Sequence, residues 1–114
     1  MNGCLFCKIV SKEIPAQIVH ENDHVVAFRD LRPVAPIHVL VIPKRHITGL
    51  HESTAADAPL LGEVMLEARD VAEKLGLDAT GYRTVVNNGP DAGQSVLHLH
   101  VHVLGGRTLA WPPG

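Results

Sequence analysis

A chain of 114 residues suffices for one domain with a buried core, and 46% hydrophobic against 19% charged residues is the balance of a globular protein. The net charge of −2 excludes the broad basic surface of a dedicated nucleic-acid binder, though not a small anionic ligand held by a few placed groups. No apolar run approaches the roughly 18 residues of a membrane span, and the start lacks a secretory pattern, so a cytoplasmic protein without membrane contact is expected.

In chain order, Cys4-Leu5-Phe6-Cys7-Lys8-Ile9-Val10 reads as one or two helical turns ended before Pro15. In a reducing compartment Cys4 and Cys7 are thiols or metal ligands rather than a structural disulfide. Residues 18–21 and 25–28 read as two short strands joined by a turn at Asn22-Asp23. Asp30 closes the second strand, and a proline-punctuated loop follows over 31–36. Residues 38–42 form a third strand, almost continuously apolar, stopped by Pro43 and followed by Lys44-Arg45-His46.

The one long helix is expected to start between Thr54 and Asp57, with Pro59 in its first turn, where a missing N–H costs little. Leu61, Val64, Met65, Ala68, Val71, Ala72 and Leu75 recur at three- and four-residue spacing as one buried stripe. Gly76 is placed to end the helix in a left-handed conformation. Residues 81–87 read as a fourth strand and 88–94 as a glycine-rich turn. The whole is a single α+β domain over 1–114. A five-stranded antiparallel meander sheet packs with one long helix and a short N-terminal helix.

The fifth strand carries the chemistry. In Ser95-Val96-Leu97-His98-Leu99-His100-Val101-His102-Val103-Leu104, histidines alternate with aliphatic residues at a spacing of two. Side chains of a strand alternate between faces at about 3.3 Å per residue. His98, His100 and His102 would then share one face, and Leu97, Leu99, Val101 and Val103 would be buried on the other. A helix would scatter the three rings. The pattern admits a polar strand face, a metal site or a nucleophilic imidazole beside an anion pocket. Gly89 and Gly93 allow the preceding turn to gather N–H groups around an anion, and Ser95 adds a hydroxyl. His38 could stand beside the row if its strand is a neighbour. His20, His24 and His51 lie in polar surroundings and read as surface residues.

These segments together resemble the histidine triad (HIT) superfamily, whose motif is His-φ-His-φ-His-φ-φ with φ apolar. His98-Leu99-His100-Val101-His102-Val103-Leu104 fits at every position. The resemblance extends through Phe6-Cys7-Lys8-Ile9, Ala27-Phe28-Arg29-Asp30, His38, Asn87, Gly93-Gln94-Ser95 and the ending Trp111-Pro112-Pro113-Gly114. That ending, after Gly-Gly-Arg, is similar to the nucleotide-binding branch of the superfamily.

The resemblance implies a purine nucleoside phosphoramidase acting through a nucleotidyl-histidine. His100 would be the nucleophile, held by the His98 carbonyl, with His38 packed against His98 and His102 donating to a phosphate oxygen. Asn87, Gly93, Gln94 and Ser95 would complete the phosphate cradle. Asp30 would accept the ribose hydroxyls, and Leu5, Phe6, Ile9, Ile14, Phe28 and Leu31 would sandwich the base. No cofactor is required for that chemistry. Some bacterial members pair a Cys-x-x-Cys with two histidines, which places a structural zinc on Cys4, Cys7, His46 and His98. A homodimer is implied, with Trp111 near the partner's site. Hydrolysis of dinucleoside polyphosphates, nucleotidyl transfer and a nucleotide-binding scaffold with vestigial catalysis are the rival readings.

Overall fold

The computed structural model describes residues 3–114. In chain order its elements are helix α1 (Leu5–Val10), strands β1 (Ile18–Glu21), β2 (Val25–Arg29) and β3 (Ile37–Pro43), helix α2 (Ala58–Lys74), and strands β4 (Tyr82–Val85) and β5 (Val101–Gly105). All pairings are antiparallel, in the order β1-β2-β3-β5-β4. The meander holds for the first three strands. Helix α2 then carries the chain past a vacant place to the sheet edge, and β5 returns to fill it. The histidine strand is thereby central, paired to β3 on one side and β4 on the other.

The two faces of the sheet follow the period-two rule. Val25, Ala27, Val39, Val41, Val101 and Val103 point to one face, where Val64, Ala68, Val71 and Ala72 of α2 meet them. Val26, Phe28, Leu40 and Ile42 point to the other, beneath Phe6 and Ile9 of α1. Burial on both faces explains why β2 and β3 read as unbroken apolar runs.

Helix α2 begins where the sequence places it. Thr54 and Asp57 form a reciprocal capping box ahead of Pro59. Its end is a Schellman motif: the Gly76 N–H bonds Glu73 O at 3.0 Å, the Leu77 N–H bonds Ala72 O at 2.8 Å, and Gly76 has φ +77°. Met65 departs from the buried stripe. It is 45% exposed beside Leu66 at 52%, because the contact with the sheet runs through Val64, Ala68, Val71 and Ala72.

β5 is shorter than the alternating pattern. Ladder pairing begins at Val101, opposite Val41, so His98 and His100 precede the strand. Pro43 lies two residues beyond Val41 and has no N–H to extend the ladder. The chain turns away instead, and the Leu99 N–H bonds Ile47 O at 2.6 Å. Leu99, Val101 and Val103 are buried as expected, but Leu97 lies outside the alternation and is 59% exposed.

Candidate functional site

Register places His38 first. It pairs with Leu104, so on the shared face its diagonal neighbour is His102. The expected contact of His38 with His98 is therefore replaced by one with His102: Nε2 of His38 lies 2.9 Å from Nδ1 of His102. His98, four residues further along and off the strand, lies instead beside Cys4 and Cys7 at the start of α1.

A chain of hydrogen bonds fixes the protons. The backbone N–H of Val34 donates to Nδ1 of His38 at 3.1 Å, so neutral His38 carries its proton on Nε2. That proton is donated to Nδ1 of His102. Neutral His102 must then carry its own on Nε2, a buried atom that finds no partner among the described residues. Such a donor is costly to leave unpaired unless a ligand completes it. Burial holds both rings neutral. It lowers the pKa of His102 to about 4, with the charges of His100 and His38 acting in the same direction. Burial likewise lowers that of His38, opposed by Asp30, whose Oδ2 lies 3.4 Å from His38 Nε2.

The central histidine has the complementary arrangement. Nδ1–H of His100 donates to the backbone carbonyl of His98 at 2.7 Å, which leaves Nε2 with an unprotonated lone pair. The His100 ring stands edge-on to Phe6, with centroids 5.1 Å apart, and 5.0 Å from the His102 ring. Two neighbouring imidazoles, one with a lone pair and the next with an N–H unpaired among the described residues, thus line the same space.

That space is a cavity of about 410 Å³. Leu5, Phe6, Ile9, Ile14, Phe28 and Leu31 line it, as do Asp30, Ser95, His100 and His102. Pro15, Ala16, Leu40 and Val96 join them; as small or apolar positions scattered over three segments, they carry no local signal in the sequence. Asp30 Oδ1 caps the Arg32 N–H at 2.7 Å, which fixes the carboxylate at the rim.

Asn87, Gly93 and Gln94 are not among the residues that line this cavity. The Gly93 N–H is bonded to Pro90 O and the Gln94 N–H to Gly89 O, so neither is turned outward. Gln94 acts instead as a staple. Its Oε1 accepts the Gly89 N–H at 2.8 Å and its Nε2 donates to Thr48 O at 2.7 Å. The loop is held by these bonds, and Ser95 is its member at the cavity.

Cys4, Cys7, His46 and His98 converge behind the cavity, each offering one ligand atom, all within 4.8 Å of one another. Cys4 Sγ lies 3.4 Å from His98 Nδ1, and Cys7 Sγ lies 3.3 Å from His46 Nδ1 and 3.5 Å from His98 Nδ1. Tetrahedral zinc with ordinary Zn–S and Zn–N bonds would separate sulfur from nitrogen by about 3.5 Å. His98 Nε2–H donates to Pro43 O at 2.7 Å, so its Nδ1 carries the lone pair that a metal needs. Without a cation, burial and the adjacent Cys4 sulfur push the Cys7 thiol up. The donor set fits a structural zinc.

One pair escaped the sequence reading. His20 is exposed, as the sequence suggests, yet its Nδ1 lies 2.5 Å from the carboxylate of Glu67, which is 4% exposed inside α2. Glutamate in a helix reads as solvent-facing, and only the approach of His20 and the Val19 carbonyl to α2 reveals otherwise.

Comparison with known proteins agrees with this architecture. Residues 11–109 match the family model for the HIT domain. An uncharacterised HIT-like protein of Synechococcus elongatus is 56% identical over 110 residues, covering 96% of each chain. The 14 kDa zinc-binding protein of Brassica juncea is 48% identical over 112 residues, covering 96% of this chain and 98% of its own. The crystal structure of a HIT family hydrolase from Legionella pneumophila superposes with a TM-score of 0.96 at 47% identity, over 98% of this chain and all of that one. The chain belongs to the HIT family.

Proposed function

We propose that the protein hydrolyses purine nucleoside 5′-phosphoramidates or related nucleotidyl conjugates through a covalent nucleotidyl-histidine. The observation that carries this reading is the pairing of His100, with Nδ1–H tied to the His98 carbonyl, and His102, with an orphaned Nε2–H, at one end of an apolar cavity. An imidazole lone pair is a nucleophile only when its other nitrogen holds the proton. A donor preset beside it stabilises charge that develops on a phosphoryl oxygen.

The base lies between Phe6, Ile9, Ile14 and Phe28, and Asp30 accepts the ribose hydroxyls at the rim. Nε2 of His100 attacks the α-phosphorus, the P–N bond breaks, and the amine leaves with a proton taken from solvent. Water then attacks phosphorus, returns that proton, and releases the nucleoside monophosphate with neutral His100. Ser95 and His102 hold phosphoryl oxygens through both steps.

Several further features complete the reading. A structural zinc occupies the Cys4, Cys7, His46 and His98 set, supported by the ligand distances and by the name of the mustard relative. The protein is a cytoplasmic homodimer; the exposed Met65 and Leu66 on α2 and the open edge of β4 are surfaces suited to a second copy. No helix among the described residues is long and apolar enough to cross a membrane.

Rapid quench of the protein with radiolabelled adenosine 5′-phosphoramidate tests the proposal. A brief acid-labile, base-stable adenylyl adduct is expected on the wild type and not on His100→Ala, with turnover lost by several orders of magnitude. Near-normal turnover in His100→Ala would reassign the nucleophile. AMP binding without turnover in the wild type would leave the scaffold reading.

A further inference from the structure

Helix α1 has six residues, far too few to be stable alone, so something outside it must hold it. Two anchors are visible. Cys4 caps the helix, with the Cys7 N–H bonded to Cys4 Sγ at 3.4 Å, and both sulfurs face His46 and His98. Phe6, between them in sequence, is 4% exposed. It meets the rings of His100 and Phe28 edge-on at 5.1 and 5.4 Å, while Leu5 and Ile9 join it in lining the cavity.

His98 is shared in the same manner. Its Nδ1 faces both sulfurs, and its Nε2–H bonds Pro43 O, so the ring is pinned between α1 and the end of β3. Its backbone carbonyl holds Nδ1–H of His100. One residue therefore offers a ligand to the metal set with its side chain and orients the nucleophile with its main chain.

We propose that zinc at Cys4, Cys7, His46 and His98 and a nucleotide in the cavity bind with positive cooperativity, because α1 and His98 form part of both sites. His98 and the cysteines are positioning residues. The inference rests on the nucleotide reading above. Ordering α1 with the metal removes a cost that the nucleotide otherwise bears, and the reverse holds by linkage. Each ligand must raise the other's affinity by the same factor.

The test uses the full chain, zinc-loaded and stripped by chelator, with AMP and zinc as the probes. AMP affinity is measured by calorimetry on both forms, and zinc affinity by competition with a chromophoric chelator, with and without saturating AMP. The expected result is a matching change of about 5- to 150-fold in both directions. The metal-loaded protein, folded throughout, supplies a second readout. With Co²⁺ in place of zinc, AMP should perturb the thiolate-to-cobalt absorption, and Phe6→Leu should weaken that response. Equal AMP affinity with and without zinc would overturn the coupling and leave the nucleotide reading intact. So would a loss of AMP binding on stripping with no reciprocal change in zinc affinity, or a cobalt spectrum blind to AMP. Failure of AMP to bind either form would remove the nucleotide reading and the coupling together.

Discussion

The Nε2–H of His38 donates to Nδ1 of His102 across 2.9 Å, and this bond sends the proton of His102 to Nε2, which has no other partner among the described residues. His38 itself is set by the Val34 N–H. A main-chain group within the proline-punctuated loop thus dictates, through two rings, which atom of His102 is a donor. In His38→Phe, which keeps a ring of similar size and removes the bond, His102 should become a mixture of tautomers. Nitrogen NMR of labelled histidine should show one Nε2–H species in the wild type and both in the variant. Turnover should fall about 10- to 100-fold, less than the 10²- to 10³-fold cost of losing an oxyanion donor outright. An unchanged tautomer would remove His38 from the relay.

The alternation of His98, His100 and His102 with Leu99, Val101 and Val103 was enough to read a strand backed by a core, but a meander would have left that strand at the edge rather than between β3 and β4. The alternation could not show where pairing starts, because Pro43 on another strand decides that. For the same reason it could not show that His38 meets His102; a diagonal contact needs the register of both strands. The apolar cavity wall was legible as a family pattern, since each side chain has only to be large and apolar. The glycine-rich loop over 88–94 was less so. Gly93 and Gln94 have the composition of an anion cradle, yet their N–H groups close the loop on itself. Whether a loop amide turns inward or outward depends on one dihedral angle, and composition does not fix it.

Asp30 offers the next prediction. Oδ1 caps Arg32, and Oδ2 remains beside His38 at the cavity rim. Hydrogen bonds from hydroxyls to an ionised carboxylate are worth about 1.5–3 kcal/mol. Asp30→Asn keeps an acceptor for Arg32 and should weaken AMP by roughly 10- to 100-fold. It should leave 2′,3′-dideoxy-AMP nearly unaffected. Calorimetric titration of both nucleotides checks this, and an equal loss for the two would dissociate Asp30 from the ribose.

Gly105 tests the packing of α2's C-terminal turn on the sheet. A Cβ built there would lie 2.7 and 2.8 Å from the two methyl carbons of Leu77. Leu77 is buried in the principal core and is anchored by its own N–H in the helix cap, so it cannot swing into solvent. Gly105→Ala should therefore cost about 1–3 kcal/mol by overpacking. Urea unfolding would show it as a lower midpoint at unchanged slope. The double variant with Leu77→Val, which shortens the opposing side chain, should recover part of the loss.

Acid sensitivity follows from the same histidine pair that prepares the cavity. Burial lowers the pKa of His102 to about 4 and lowers that of His38, against an ordinary value near 6.5 in the unfolded chain. Between about pH 6.5 and 4 the unfolded chain binds protons that the folded rings refuse. Their contribution to stability is thus complete above pH 6.5 and is lost as pH falls toward 4. Glu21, held by Lys12 and Lys44, has its pKa lowered to about 2, so its effect comes at lower pH. At pH 5.5 the unfolding of one chain should take up about 0.9 proton at His102 alone. The measurement is the enthalpy of unfolding in buffers of different ionisation heat, compared between the wild type and His102→Gln. A deficit close to one proton in the variant, with a flatter fall of Tm between pH 6.5 and 4.5, is the expected outcome. Equal proton uptake in the two proteins would mean that His102 is already charged in the fold, and then it could not accept the proton of His38.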